Sequence, residues 1–497
     1  MFAVKINRTS FEYDVNSMIK AFFPGEEVKI LTPDTGKEKA EQLNRELCME
    51  FCLKPGCAEI HLKKDAFVNA KKDCYSWRAD TDLSEEDKRY KQGAKRFLYQ
   101  VLSEITQKEL PWGNLTGIRP TKIAMGLLEE GKTEAEVLSF LEEAHFVSEK
   151  KAELALDIAR REKQILSKVH YENGYSLYIG IPFCPTTCLY CSFTSNPICK
   201  WRDKVEEYLD CLIKEMKYTK ELCEGKILDS VYIGGGTPTT LTDAQSDRLL
   251  TALKETFDFS TVQEFTVEAG RADSITREKL EVLKKHGVGR ISINPQTMKE
   301  ETLKLIGRQA TAAQVKEAFL LARSVGDFNI NMDIILGLPG EEKEDVERTI
   351  AEILKLQPDS LTVHSLAIKR ASKLAQWILE NGVSTLKNTD ETMEIAAQGA
   401  EKLRMHPYYL YRQKNMSGNF ENVGYATEGN YGLYNILIME EKQTIMALGA
   451  GSISKLVLPD GRIERSENMK DVALYMEKID EMLLRKKNLL EIQSKSL

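Results

Sequence analysis

The chain has 497 residues, 42% hydrophobic and 29% charged, enough for several folded units; at about 150 residues per domain a prior of about three follows. Its 69 Lys plus Arg against 76 Asp plus Glu leave a net charge of −7, which argues against broad attraction to nucleic acid or anionic membrane. Ten cysteines are too few for a disulfide framework, no stretch reaches the roughly 18 apolar residues of a membrane span, and the first residues form no apolar leader, so a reducing cytoplasm is the expected compartment.

Short apolar runs at Phe2–Ile6 and Val28–Leu31, with a helical stretch over residues 40–52, predict a small α/β domain across residues 1–83. Residues 84–168 predict a mostly helical connecting region, interrupted by a Gly- and Pro-bearing turn at residues 110–120. Cys48, Cys52, Cys57 and Cys74 are expected to be small buried hydrophobes, the first two one turn apart on the predicted helix.

Across residues 169–370, apolar runs at 175–181, 228–233, Glu264–Glu268, 289–294, 328–336 and 360–366 alternate with helical patterns. The pattern is clearest after the fifth run, where Val346, Ile350, Ile353 and Leu354 recur at helical spacing before Pro358. The expected fold is α/β, a partial parallel (β/α)6 barrel. Right-handed crossovers then place every strand's C-terminal end on one rim, where ligands bind in such folds. Residues 371–497 predict an α+β extension that caps the substrate. It has helices at 373–380 and 389–405, an irregular Tyr- and Gly-rich section at 408–434, a strand at Thr444–Leu448 and a charged terminal helix.

Cys184, Cys188 and Cys191 follow the first core run as C-x3-C-x2-C. Three thiolates are one ligand short of a closed site, which suits a [4Fe–4S] cluster with one iron left for another molecule. A zinc site completed by Cys199, or three unrelated thiols, is the alternative; the tight spacing favours the cluster, with Cys199 an ordinary buried thiol. After the second run comes Gly234-Gly235-Gly236-Thr237-Pro238-Thr239, whose missing Cβ atoms let a ligand approach the backbone, and no Gly-Lys-Ser/Thr follows to make a phosphate loop. Glu268, Gln296, Arg308 and Asp333 fall near later strand ends; any one alone would be an ordinary solvated or ion-paired side chain.

Preceded by Tyr178-Ile179-Gly180-Ile181-Pro182-Phe183, the cysteine loop resembles that of the radical S-adenosylmethionine superfamily. Together with the later rim residues, over about residues 171–460, the chain resembles the oxygen-independent coproporphyrinogen III dehydrogenase family. The resemblance implies Cys184, Cys188 and Cys191 as cluster ligands and S-adenosylmethionine on the open iron. It also implies cofactor contacts from Tyr178, Tyr190, Gly235, Gly236, Thr237, Glu268, Gln296, Arg308, Asp333, Ala367 and Ile453. It implies no catalytic side chain beyond cluster and cofactor. The reaction it implies belongs to porphyrin and haem biosynthesis: a 5′-deoxyadenosyl radical takes a hydrogen from a propionate β-carbon of coproporphyrinogen III. Loss of CO2 and of one electron then gives the vinyl groups of protoporphyrinogen IX, with electron donor and acceptor unidentified.

Cys-Pro-Thr-Thr-Cys-Leu-Tyr-Cys-Ser-Phe-Thr-Ser, with the upstream Pro-Trp-Gly-Asn-Leu-Thr-Gly-Ile-Arg-Pro-Thr-Lys, is similar to the HemZ group of that family. Phe193 stands where well-characterised dehydrogenases carry another cysteine, as an aromatic does in haem-chaperone relatives. Those relatives also bear a His-Asn-x-x-Tyr-Trp stretch, where this chain has Gly424-Tyr425-Ala426-Thr427-Glu428-Gly429-Asn430-Tyr431 without histidine. The alternatives are a haem-binding or trafficking protein and a radical enzyme on another substrate. A tetrapyrrole tetracarboxylate needs cations, expected at Arg308, Lys369 and Arg370. Arg119 and Lys122 are further candidates, though Arg119 is better explained by hydrogen bonding within its turn. A cap near residues 449–454 is expected to shield the radical from water.

Overall fold

The protein, a computed structural model, folds as two units: Met1–Ala159 with Arg412–Phe420, and Arg160–Tyr411 with Glu421–Leu497. The structure describes residues 2–23, 26–63, 66–67, 69–79, 88–191, 195–369, 372–382, 386–413 and 420–496.

The first unit holds β1 (Phe2–Ile6), β2 (Val28–Leu31), β3 (Leu47–Lys54), β4 (Cys57–Leu62) and β5 (Cys74–Arg78), in the order β2-β1-β3-β4-β5. One face of this sheet contributes Val4, Met49, Phe51, Leu53 and Ile60 to a core completed by helices Glu12–Phe22 and Lys88–Thr106. Part of the expected connecting region therefore packs in the N-terminal core.

The helix expected over residues 40–52 is shorter, Lys37–Arg45, and β3 follows it. Met49, Phe51 and Leu53 are buried at period two, and a strand satisfies that alternation where a helix cannot. Cys48 and Cys52 consequently lie on the strand's partly exposed face; Cys57 is also half-buried and Cys74 is exposed, so none is the buried hydrophobe expected.

The second unit is built on β6 (Gly174–Ile181), the short pair β7 (Phe183–Cys184) and β8 (Asn196–Pro197), β9 (Ile227–Gly235), β10 (Glu264–Glu268), β11 (Arg290–Ser292), β12 (Asn329–Leu336) and β13 (Ser360–Ser365). It continues with β14 (His406–Tyr411), β15 (Asn422–Ala426), β16 (Thr444–Leu448), β17 (Ile453–Val457) and β18 (Ile463–Glu467). The large sheet runs β14-β15-β13-β12-β11-β10-β9-β6-β16-β17-β18. From β13 to β6 all neighbours are parallel, as expected, and β16 adds a further parallel strand on the outer side of β6. The section expected to be irregular, residues 408–434, instead supplies β14 and β15, antiparallel at the β13 edge; their core contacts come from Tyr408, Tyr409 and Ala426. Helix Lys343–Leu356 ends at Gln357, in the left-handed region at φ 52, just before Pro358.

Register gives this sheet two unlike faces. Leu177, Val231, Phe265, Ile330 and Leu361 belong to an apolar, buried face, the pattern of a parallel sheet covered by its crossovers. On the other face Tyr178, Tyr232, Thr266, Arg290 and Asn329 align across the strands, followed two residues later by Gly180, Gly234, Glu268, Ser292 and Asn331. Among the described residues no helix is long and apolar enough to cross a membrane.

Candidate functional site

The cysteine loop leaves β6 at its C-terminal end, with Cys184 and Cys188 buried and Cys191 half-buried. Leu189 and Tyr190 pack beside Ile306, Ile335, Leu338, Leu366 and Leu374. The Leu189 N–H donates to the Ile306 carbonyl at 3.0 Å, and the Thr186 hydroxyl to the Gly307 carbonyl at 2.9 Å. Each thiol has its own electropositive neighbour. The Thr237 hydroxyl donates to Cys184 Sγ at 3.5 Å, and Arg271 Nη1 donates to Cys188 Sγ at 3.6 Å. Lys369 interacts electrostatically with Cys191: burial lowers the lysine's pKa, and a Cys191 thiolate works the other way. Among the described residues no three ligand-type side chains are drawn together tightly enough to hold a metal ion. The thiols therefore share one anchored loop rather than a finished coordination sphere. Cys199, expected to be buried, is exposed.

The glycine turn answers first to the protein's own backbone. A Cβ on Gly236 would lie 2.5 Å from the Phe183 carbonyl oxygen, and one on Gly234 would lie 2.9 Å from the Glu268 carboxylate. Gly235 sits at φ +108, which side chains rarely adopt. The Gly236 and Thr237 N–H groups donate to the Ile181 and Phe183 carbonyls at 2.8 and 2.7 Å, and the Gly235 N–H donates to Glu268. The missing Cβ atoms therefore fit the turn against the cysteine loop. The N–H groups of Gly235, Gly236 and Thr237 are thus engaged within the protein.

Glu268 stands at the end of β10 and accepts a 2.5 Å hydrogen bond from the Tyr232 hydroxyl. Burial pushes its carboxyl up to about 7, with the Asp333 charge adding to the rise and the Tyr232 and Gly235 bonds opposing it. Tyr178 stacks near Tyr232 and Tyr434, at centroid distances of 6.2 and 6.1 Å. Burial works against the charge of Asp333, but His364, Asn331 and Thr362 hold its carboxyl below the usual range.

Gln296 is bridged to β12 by its backbone, its N–H donating to the Asp333 carbonyl at 2.9 Å, and its φ of 67 is left-handed. Arg308 donates to the Gly270 carbonyl at 2.8 Å and to the Tyr190 hydroxyl at 3.2 Å. Ala367 follows β13, and Ile453, 38% exposed, opens β17. The turn expected to cap the site meets the end of β6: a Cβ on Gly449 would lie 2.5 Å from the Gly180 carbonyl oxygen. Phe193 and Arg370 lie outside the described residues. In the first unit Arg119 is half-buried and Lys122 exposed.

Among the described residues, Ser292 Oγ, Gln296 Oε1 and Arg308 Nε on this rim are buried without a hydrogen-bond partner. Native proteins pair nearly all such groups. A ligand bearing both an ammonium or hydroxyl donor and a carboxylate acceptor, as S-adenosylmethionine does, would complete them. A thiol loop with a donor or cation beside each sulfur likewise suits thiolate ligands of an iron–sulfur cluster. The site residues fit both groups. Sequence reasoning missed Arg271, Tyr232 and His364. Tyr232 was recoverable from its place two residues before the glycine turn, whereas Arg271 reaches the loop only through the fold.

Residues 178–353 match the radical SAM superfamily. The chain is 42% identical over 388 residues, 77% of each chain, to the oxygen-independent coproporphyrinogen-III oxidase-like protein HemZ of Bacillus subtilis (strain 168). It is 32% identical over 243 residues to the heme chaperone HemW of the same organism, covering 49% of this chain and 63% of the relative. Among solved structures it resembles coproporphyrinogen III oxidase (HemN) from Escherichia coli, at a TM-score of 0.49 and 23% identity, covering 64% of this chain and 72% of that one.

Proposed function

We propose that this chain, which belongs to the HemZ group of oxygen-independent coproporphyrinogen III oxidase-like proteins in the radical SAM superfamily, oxidatively decarboxylates coproporphyrinogen III to protoporphyrinogen IX. Membership brings a [4Fe–4S] cluster and S-adenosylmethionine as cofactors. Bound together, these supply a hydrogen-abstracting radical from one electron. Cys184, Cys188 and Cys191 are the residues to hold the cluster. Tyr178, Tyr190, Gly235, Gly236, Thr237, Glu268, Gln296, Arg308, Asp333, Ala367 and Ile453 are those to hold the second cofactor.

The chain's own groups have distinct tasks in this reading. Glu268, whose carboxyl burial raises to about 7, is driven towards the carboxylate beside a ligand's ammonium and so favours that ligand's binding. Arg308 offers its remaining Nε–H to a carboxylate, and Gln296 offers its carbonyl oxygen to a donor. The turn at Gly449, fitted against the end of β6, keeps water from that side of the rim. Lys369, half-buried, is assigned to a substrate propionate.

The observation that carries this reading is the 42% identity over 77% of both chains. The absence of histidine from residues 424–431, where haem-chaperone relatives offer one to haem iron, weighs against the haem-chaperone reading. Anaerobic haem titration tests the choice. The dehydrogenase reading expects no stoichiometric complex with an identifiable axial ligand; such a complex, formed without turnover of coproporphyrinogen, overturns it.

A further inference from the structure

We propose that Arg271 is a positioning residue for the cluster: it fixes the loop that carries Cys188 and, by hydrogen bonding to that sulfur, raises the cluster's reduction potential. The proposal rests on the cluster assignment above but not on the identity of the substrate.

Arg271 is only 4% exposed, and a buried guanidinium persists where it is paired. Asp273 supplies the pair in the two-point geometry that guanidinium and carboxylate share, Nε to Oδ1 at 2.9 Å and Nη2 to Oδ2 at 2.6 Å. The backbone around this pair is also held, since the Ser274 hydroxyl donates to the Arg271 carbonyl at 2.7 Å and shares a 2.6 Å hydrogen bond with Thr239. With its other two nitrogens committed to Asp273, Nη1 is free to serve the cysteine loop. It donates to Thr186 Oγ1 at 3.1 Å and to Cys188 Sγ at 3.6 Å. Thr186 in turn donates to the Gly307 carbonyl, one residue before Arg308. A single side chain thus links the loop to the segments that follow β10 and β11.

The chemical consequence follows from charge. Reduction adds an electron to a cluster held by thiolates, and both a hydrogen bond to a ligand sulfur and a nearby fixed cation stabilise the added charge. Lysine keeps the charge but cannot reproduce the two-point pairing with Asp273, whereas glutamine loses the charge.

The test uses full-length protein reconstituted anaerobically with iron and sulfide, without substrate. Iron content and EPR-monitored redox titration are compared for the parent, Arg271→Gln and Arg271→Lys. The expected result is a more negative potential in Arg271→Gln and a smaller shift in Arg271→Lys, both carrying the cluster. Equal potentials in all three proteins overturn the proposal. So does cluster loss in both variants, which would make Arg271 structural only. A parent that binds no cluster overturns the ligand assignment and this role with it. A potential shift stands even if coproporphyrinogen proves not to be the substrate.

Discussion

Lys486 donates to the Glu215 carboxylate at 2.5 Å, with the lysine side chain 1% exposed and the glutamate 0%. Asn468 shares the same carboxylate oxygen, while the Gly449 N–H and the Tyr475 hydroxyl occupy the other at 2.8 and 2.6 Å. One buried anion therefore ties the C-terminal helix to the turn that meets the end of β6. Lys486→Met leaves that anion buried without its cation and is expected to cost about 3–5 kcal/mol, read by urea denaturation. A loss below about 1 kcal/mol would show that the pair does not hold the turn.

Glu268 gives the ligand-free protein a pH dependence. Its carboxyl, raised from 4.5 to about 7, keeps a proton in the folded state that the unfolded chain releases across that interval. Folding then binds a proton, so this contribution is fully present at low pH and is lost as pH rises through about 7. Glu268→Gln, neutral throughout, is expected to remove this slope and to stabilise the ligand-free protein by roughly 2–3 kcal/mol at about pH 8. The same change should weaken S-adenosylmethionine binding in calorimetry. Parallel stability–pH curves for the two proteins would rule out the elevated carboxyl.

Gly236→Ala places a methyl group 2.5 Å from the Phe183 carbonyl oxygen and 2.9 Å from that of Ile181, both backbone atoms that cannot rotate away. The expected cost is about 1–3 kcal/mol, together with reduced iron uptake as the cysteine loop shifts. Unchanged stability and iron content would mean that the turn does not set the loop.

Part of this architecture was legible in the sequence because its signals are local. The cysteine spacing, the glycine run and the strand–helix alternation from residue 169 each lie within a short window, and the parallel order of β6 to β13 follows from the crossover rule. Other parts depend on distant pairings. The strand at Thr444–Leu448 was legible, but its place beside β6 was not, because no short-range pattern names a parallel partner more than 260 residues away. The alternation of Met49, Phe51 and Leu53 was overrun by the helical pattern of the preceding residues. Arg271 beside Cys188 joins positions far apart in the chain, and the glycines' packing against Phe183 and Glu268 likewise emerges only once β6, β9 and β10 are aligned.

The most direct test of the central claim is an anaerobic turnover of the reconstituted protein with S-adenosylmethionine, a reductant and coproporphyrinogen III, with Cys188→Ser as the control. Both 5′-deoxyadenosine and vinyl-bearing porphyrinogens are followed by mass spectrometry. The account predicts that both form together in the parent and neither forms in Cys188→Ser. Formation of 5′-deoxyadenosine without any monovinyl or divinyl product would contradict the substrate assignment.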